Sequence, residues 1–186
     1  MNNSIAARNK RKLIEVLKEY QVWGMALEKV VDYLYTETDF FYAPASTKYH
    51  GAYPGGLFDH SLYTMRCLVE LGRDWGSKMS PYIVGLLHDL TKVNKYRMEI
   101  EAGEIPAIKY CHNPDWVERS SIHGEDSVNK VKNLINLSEE EELCIRFHMG
   151  AYETGDWDEF DRAIRKYPNV LWTHTADMYA SKVLEG

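Results

Sequence analysis

The sequence predicts an all-α domain of about eight helices, with a possible small β-hairpin inserted near residues 96–110. Three observations lead there. Apolar residues recur at helical spacing along most of the chain, and helix-start signals precede several of those runs. Only one stretch mixes aromatic and branched residues in a way that suits paired strands.

Taken in order, Leu13, Val16, Leu17 and Tyr20 share one helical face, and Leu27, Val30, Val31 and Leu34 repeat the pattern after Gly24. Residues 38–54 are aromatic and punctuated by Pro44 and Pro54, which suits an ordered loop. Gly55-Gly56 opens a helix expected to reach residue 75, with Leu57, Ser61, Met65, Leu68 and Leu71 along one side. Ser80-Pro81 puts a hydroxyl at the cap and proline at the first helical position. The helix it begins, through residue 90, is apolar almost all round and reads as a buried central element. Residues 96–110 carry Tyr, Ile and Met around Glu101-Ala102-Gly103-Glu104, the pattern of a hairpin. Helix returns over 121–135. Ser138-Glu139-Glu140-Glu141 is a capping box that starts another helix, running to His148. Segments 158–166 and 170–184 complete the set on either side of Pro168.

A chain of 186 residues can bury a core without disulfides, and it shows no repeat or low-complexity linker. One domain over 1–186 is expected, with the helices of 1–37 packing on a core of 40–183. The formal charge of −6 and a single short basic run, Arg8 to Lys12, speak against long duplex nucleic acid. A small phosphorylated molecule suits that charge better. Three cysteines (Cys67, Cys111, Cys144) form no CxxC pair, as expected of reduced thiols in the cytoplasm. The polar, basic start does not read as a signal peptide. No apolar run approaches the roughly 18 residues that span a bilayer, so no membrane partner is expected.

The histidines carry the chemistry. His88-Asp89 ends the apolar helix within Gly85-Leu86-Leu87-His88-Asp89-Leu90-Thr91-Lys92. Burying an imidazole and a carboxylate side by side is costly unless something pairs them. A divalent cation would, and so would a His–Asp hydrogen bond at a helix end; these residues alone favour neither. His60 lies one turn into a helix beside apolar positions, His123 opens a helix, His148 ends one, and Asp177 sits inside the last. Each has an ordinary reading as a cap or surface group. Together they suit one convergent site better than independent accidents.

The ordered set His60, His88-Asp89, Asp177 resembles the H…HD…D signature of the HD superfamily of metal-dependent phosphohydrolases. Ala43-Pro44-Ala45-Ser46-Thr47-Lys48, then His50 and Gly55-Gly56-Leu57-Phe58-Asp59-His60-Ser61, is similar to the entry segment of bacterial HD proteins. Those include the HD domain of a 3′→5′ exoribonuclease. The stretch 86–92 resembles the HDxxK form of the core motif, and Thr173-His174-Thr175-Ala176-Asp177, with Lys182, resembles the HxAD ending. The likeness spans 40–183 and is nearest to small single-domain HD proteins of bacteria and their phages.

The resemblance implies an HD helical bundle in which His60, His88, Asp89 and Asp177 hold a first divalent metal. In two-metal branches Asp89 bridges, and histidines at the positions of His123 and His148 hold a second. The identity of the metal, among Mn, Fe, Ni, Co, Mg and Zn, stays open. Asp89 and Lys92 are the implied catalytic residues, with Lys92 reaching a substrate phosphate or the attacking water. Lys48 and His50 are either substrate-binding or solvent-facing. His174 reads as a supporting donor or packing residue, Glu125 and Asp126 as a solvated helix face, and His112 as a loop residue. Glu125, beside His123, is also a candidate base. Tyr49, Tyr53, Tyr96 and Tyr152 read as core first and as a base-stacking pocket second. The implied activity is metal-dependent hydrolysis of a phosphomonoester or phosphodiester in a nucleotide or short oligonucleotide. Two departures from the exoribonuclease bear on RNA degradation: there is no room for its OB domain, and Ala180 stands where that relative has aspartate. Di-iron oxygenases of this type use the same six ligands and remain an alternative, as does a non-catalytic nucleotide-binding module.

Overall fold

The computed structural model describes residues 2–101, 107–117, 122–152 and 154–185. Within them the fold is all-α, eight helices with one two-stranded antiparallel hairpin. Backbone contacts group the chain into two compact units. The first comprises Met1–Asp59 with Lys92–Val117, and the second His60–Thr91 with Glu118–Gly186.

In the first unit, α1 (Asn2–Glu19) packs on α2 (Met25–Thr36). Of the faces read from the sequence, Leu13, Val16 and Leu17 on α1 and Leu27, Val30, Val31 and Leu34 on α2 are buried, whereas Tyr20 falls in the turn after α1 and is half-buried. Asn9 interrupts the basic run and is itself buried, its Nδ2 donating to the Phe41 carbonyl at 2.8 Å. That bond ties α1 to the loop 38–54, which is ordered as expected around Phe40 and Phe41. Their rings meet edge-to-face at 5.2 Å, and Phe58 joins them. Gly55 adopts φ +92°, a left-handed conformation that favours glycine. At Gly56 a Cβ would lie 1.9 Å from the Gly51 carbonyl oxygen, so this pair is what lets the loop turn into α3 (Gly56–Leu71).

The hairpin pairs β1 (Tyr96–Glu101) with β2 (Ala107–His112), two residues longer than expected. His112 is therefore a strand residue opposite Tyr96, their ring centroids 5.3 Å apart. The connecting residues 102–106 lie outside the described residues.

In the second unit, α6 (Glu139–Arg146) packs against α4 (Ser80–Leu87), α5 (His123–Lys132) and α8 (Asn169–Tyr179), and α7 (Trp157–Lys166) packs on α8. The capping box at Ser138 forms as read, with Ser138 Oγ accepting from the Glu141 amide and Glu141 returning the bond. Several boundaries differ from the sequence reading. Helix α3 stops at Leu71, ahead of Gly72 and of Asp74 at φ +53°. Helix α4 is buried almost all round as expected, but it ends at Leu87 and gives way to a 3₁₀ turn, Leu90–Lys92. Ser80 does not cap it; its hydroxyl donates to buried Glu141 Oε1 at 2.8 Å, and Met79 takes the cap position. Helix α5 spans His123–Lys132, shorter than 121–135, and residue 121 lies outside the described residues. The last helix changes from α winding to π winding over Ala180–Leu184. No helix among the described residues is long and apolar enough to cross a membrane.

Candidate metal centre

Six side chains converge in the second unit. His60 stands in the second turn of α3, and His88 caps the C-terminus of α4, with Asp89 next to it. His123 is the first residue of α5, His148 lies two past the end of α6, and Asp177 is in the third turn of α8. His60, His88 and His148 are fully buried, Asp89 is 2% exposed, and the His123 side chain, at 12%, is the most open of the set.

Their donor atoms form two triads, His60–His88–Asp177 and Asp89–His123–His148, each within 4.8 Å. In the first, His60 Nε2 lies 3.1 Å from His88 Nε2 and 3.0 Å from Asp177 Oδ1, with His88 Nε2 at 3.7 Å from the same oxygen. Asp89 joins the two. Its Oδ2 faces His60 at 3.3 Å and His88 at 3.6 Å, while its Oδ1 faces His123 at 2.7 Å and His148 at 3.4 Å.

The protonation of these rings can be assigned from their outer bonds. His88 Nδ1 bonds the Gly85 carbonyl at 2.9 Å, and His148 Nδ1 bonds the Ile145 carbonyl at 2.7 Å. A carbonyl only accepts, so each Nδ1 carries a proton, and each Nε2 presents a lone pair once the ring is neutral. His60 Nδ1 faces Glu185 Oε1 at 2.9 Å with the same result. The centre thus gathers imidazole nitrogens and carboxylates, and His148 Nε2 is buried with no hydrogen-bond partner among the described residues.

A divalent cation fits this donor set. Ligand bonds of about 2.1 Å put neighbouring donors about 3.0 Å apart in octahedral and about 3.4 Å apart in tetrahedral geometry. The 3.0–3.7 Å separations of the first triad bracket those edges.

Charge behaviour follows the same geometry. Burial pushes the His60 imidazole down, but hydrogen bonds to Asp177, Asp89 and Glu185 overcome it and hold the ring well above its ordinary value. His148 is likewise pushed down by burial and raised on balance, through Asp89. For His88 burial prevails and the net shift is downward. Burial would raise Asp177, yet its bonds with His60 and His88 hold it well below the usual carboxylate range.

Two glycines set the helix crossings beside these ligands. A Cβ on Gly85 of α4 would fall 2.3 Å from Met65 Cα on α3. One on Gly124 of α5 would fall 2.1 Å from the Arg146 carbonyl oxygen on α6. His174 is not among the donors of either triad: its Nδ1 bonds the His148 carbonyl at 2.8 Å and its ring packs edge-on to Phe160, so it braces the backbone that carries His148. Glu125 pairs with Arg146 at 3.1 Å.

Other sequence expectations fall differently. Lys48, His50 and Lys92 belong to the first unit: Lys48 is exposed, His50 half-buried, and Lys92 half-buried at the end of the 3₁₀ turn after Asp89. Asp126 is buried at 4% exposure, not on a solvated face, because the fourth residue of α5 turns inward with Ser127. Tyr49 and Tyr152 are more than 80% exposed and are not core residues. Glu185 was not read from the sequence at all, since nothing near it in the chain marks it as a partner of His60. The chain matches no family model, no curated protein and no solved structure among those compared.

Proposed function

We propose that this chain is an HD-type metal-dependent phosphohydrolase that acts on a small phosphorylated substrate, a nucleotide or short oligonucleotide. One observation supports the reading above the rest: the two oxygens of Asp89 face two different histidine pairs, the placement a carboxylate needs to bridge two ions. Two-metal sites are suited to phosphoester displacement, in which attacking and leaving oxygens are both stabilised. In this reading His60, His88, Asp177 and Asp89 Oδ2 hold one cation, and Asp89 Oδ1, His123 and His148 the other.

A divalent cation held there would lower the pKa of a bound water toward neutrality and polarise a phosphoryl oxygen. The chain's residues prepare that chemistry. The carbonyls of Gly85 and Ile145 lock the His88 and His148 tautomers, so neither ring has to reorganise to ligate. Burial of five of the six ligands excludes competing water and strengthens each electrostatic interaction. Lys92, three residues after Asp89 in the chain, is the residue that the sequence reading puts forward as a positive charge for the substrate phosphate. The net charge of −6 favours a small ligand over a long duplex.

The test pairs elemental analysis of purified protein with a screen of nucleotides and generic phosphodiesters under Mn²⁺, Ni²⁺, Co²⁺ and Mg²⁺. The expected result is bound divalent metal and hydrolysis that both His88→Ala and Asp89→Ala abolish. Iron-dependent oxygen consumption would assign an oxygenase instead. Protein that binds no metal, with neither substitution altering stability or activity, would overturn the proposal.

A further inference from the structure

Among the imidazoles whose outer bond is described, only His60 has a carboxylate behind it. His88 and His148 lean on the neutral carbonyls of Gly85 and Ile145, whereas His60 Nδ1 meets Glu185 Oε1 at 2.9 Å. The Glu185 side chain is 2% exposed, and its second oxygen is buried with no hydrogen-bond partner among the described residues. A carboxyl group with one oxygen left unpaired in the interior is expensive to bury.

The backbone delivers it there by a change of winding. At 100° per residue an uninterrupted α-helix would place Glu185, eight residues after Asp177, about 80° around the helix from it. The π winding over Ala180–Leu184 closes with the Glu185 amide bonded to the Ala180 carbonyl at 3.1 Å. One such i→i+5 closure sets later residues back by about one position. Glu185 then occupies the place of a residue seven after Asp177, within about 20° of the same face. The slip brings both carboxylates of this helix onto His60, Asp177 at Nε2 and Glu185 at Nδ1.

We infer that Glu185 is a positioning residue that fixes the His60 tautomer and makes the His60–His88–Asp177 triad the tighter of two cation positions. This rests on the metal-binding reading above. A carboxylate on Nδ1 keeps the proton there, aims the Nε2 lone pair inward and increases its basicity toward a cation. The first triad would have two carboxylates of its own, Asp177 directly and Glu185 through His60, in addition to its share of Asp89. In the second triad Asp89 is the one carboxylate among the ligands, and it is shared with the first. Cations therefore load in order, first triad before second.

The experiment titrates Mn²⁺ calorimetrically into the metal-free full chain, native, Glu185→Gln and Glu185→Ala. Native protein is expected to bind in two steps. Glu185→Ala should weaken the tighter step by roughly 10- to 100-fold and leave the weaker step unchanged. Glu185→Gln keeps an acceptor for Nδ1–H and loses the charge, so it should fall between native and Ala. Long-range ¹H–¹⁵N spectra of the Zn²⁺-loaded protein provide a readout independent of affinity. Zinc on Nε2 leaves the His60 proton on Nδ1 in every form, so the readout is its hydrogen bond. The Nδ1–H resonance should be downfield and slow to exchange in native and Gln forms, and move upfield or vanish by exchange in the Ala form. Near-isosteric Gln carries the test if the Ala variant fails to fold. Native protein that binds no cation overturns the metal reading itself. Native protein that binds two, with the tighter step unaltered in either variant, overturns the role of Glu185 alone.

Discussion

Gly124→Ala tests whether the α5–α6 crossing holds the second triad together. The Cβ it adds would lie 2.1 Å from the Arg146 carbonyl oxygen, 2.7 Å from its carbon and 2.9 Å from its Cα. All three are backbone atoms, so no side chain can swing away. Reaching the 3.4 Å lower end of ordinary contact from 2.1 Å requires the helices to part by about 1.3 Å. Overpacking of this kind costs about 1–3 kcal/mol. Replacing a helical glycine returns about 1 kcal/mol in backbone entropy. The net loss, up to about 2 kcal/mol, should lower Tm by as much as roughly 8 °C for a chain of this size. The functional consequence is more specific. His123 directly precedes Gly124 and His148 lies two past Arg146, and both face Asp89 Oδ1, at 2.7 and 3.4 Å. Parting the helices by 1.3 Å breaks that triad and leaves His60, His88 and Asp177 on other helices. Thermal melts and metal stoichiometry provide the assay, with one cation retained and the second lost. A variant with native Tm that still binds two cations would refute the reasoning.

Ser138→Ala removes the acceptor of the Glu141 amide at the start of α6 and should cost about 1 kcal/mol, with metal content unchanged. Chemical denaturation read beside elemental analysis checks both halves. In the metal-free protein His60 and His148 are raised and His88 lowered relative to 6.5. A raised imidazole stabilises fully below 6.5 and loses that contribution as pH climbs through its folded value, so chelator-treated protein should melt lower at pH 9 than at pH 6.5. His88 opposes this by costing stability as pH falls below 6.5, while Asp177, held low, lends stability above 3.8 that fades in stronger acid. Metal requires unprotonated imidazoles, so saturating Mn²⁺ should raise Tm more at pH 9 than at pH 6.5.

The fold was legible where local chemistry decides it. The apolar faces of α1 and α2 and the Ser138 box depend on residues close to each other in the chain, and apart from Tyr20, which falls past the end of α1, they appear where the sequence placed them. Boundaries set by distant partners were not legible. Ser80 has the form of a cap, but Glu141, 61 residues away, takes its hydroxyl. Asp126 looks solvated in sequence, yet the orientation of α5 turns it inward. Tyr49 and Tyr152 look like core because aromatic residues usually are, and nothing nearby in the chain signals that their segments lie on the surface.

The six histidines and aspartates of the two triads were legible because each stands at a helix end or in an apolar helix, where a polar group attracts notice. Glu185 was hidden by its register. Read as continuous α-helix it points about 80° from Asp177, and only the π winding brings it back. That account makes a last prediction. Deleting Ser181 shortens the segment by one residue and allows α winding throughout, which keeps the glutamate seven places after Asp177 and facing His60. Inserting one alanine after Ser181 displaces it by about 100° instead, unless a second slip forms. Mn²⁺ titration should therefore show a near-native tighter step for the deletion and a Glu185→Ala-like loss for the insertion. If the deletion is the variant that loses affinity, the carboxylate is positioned by something other than helical register.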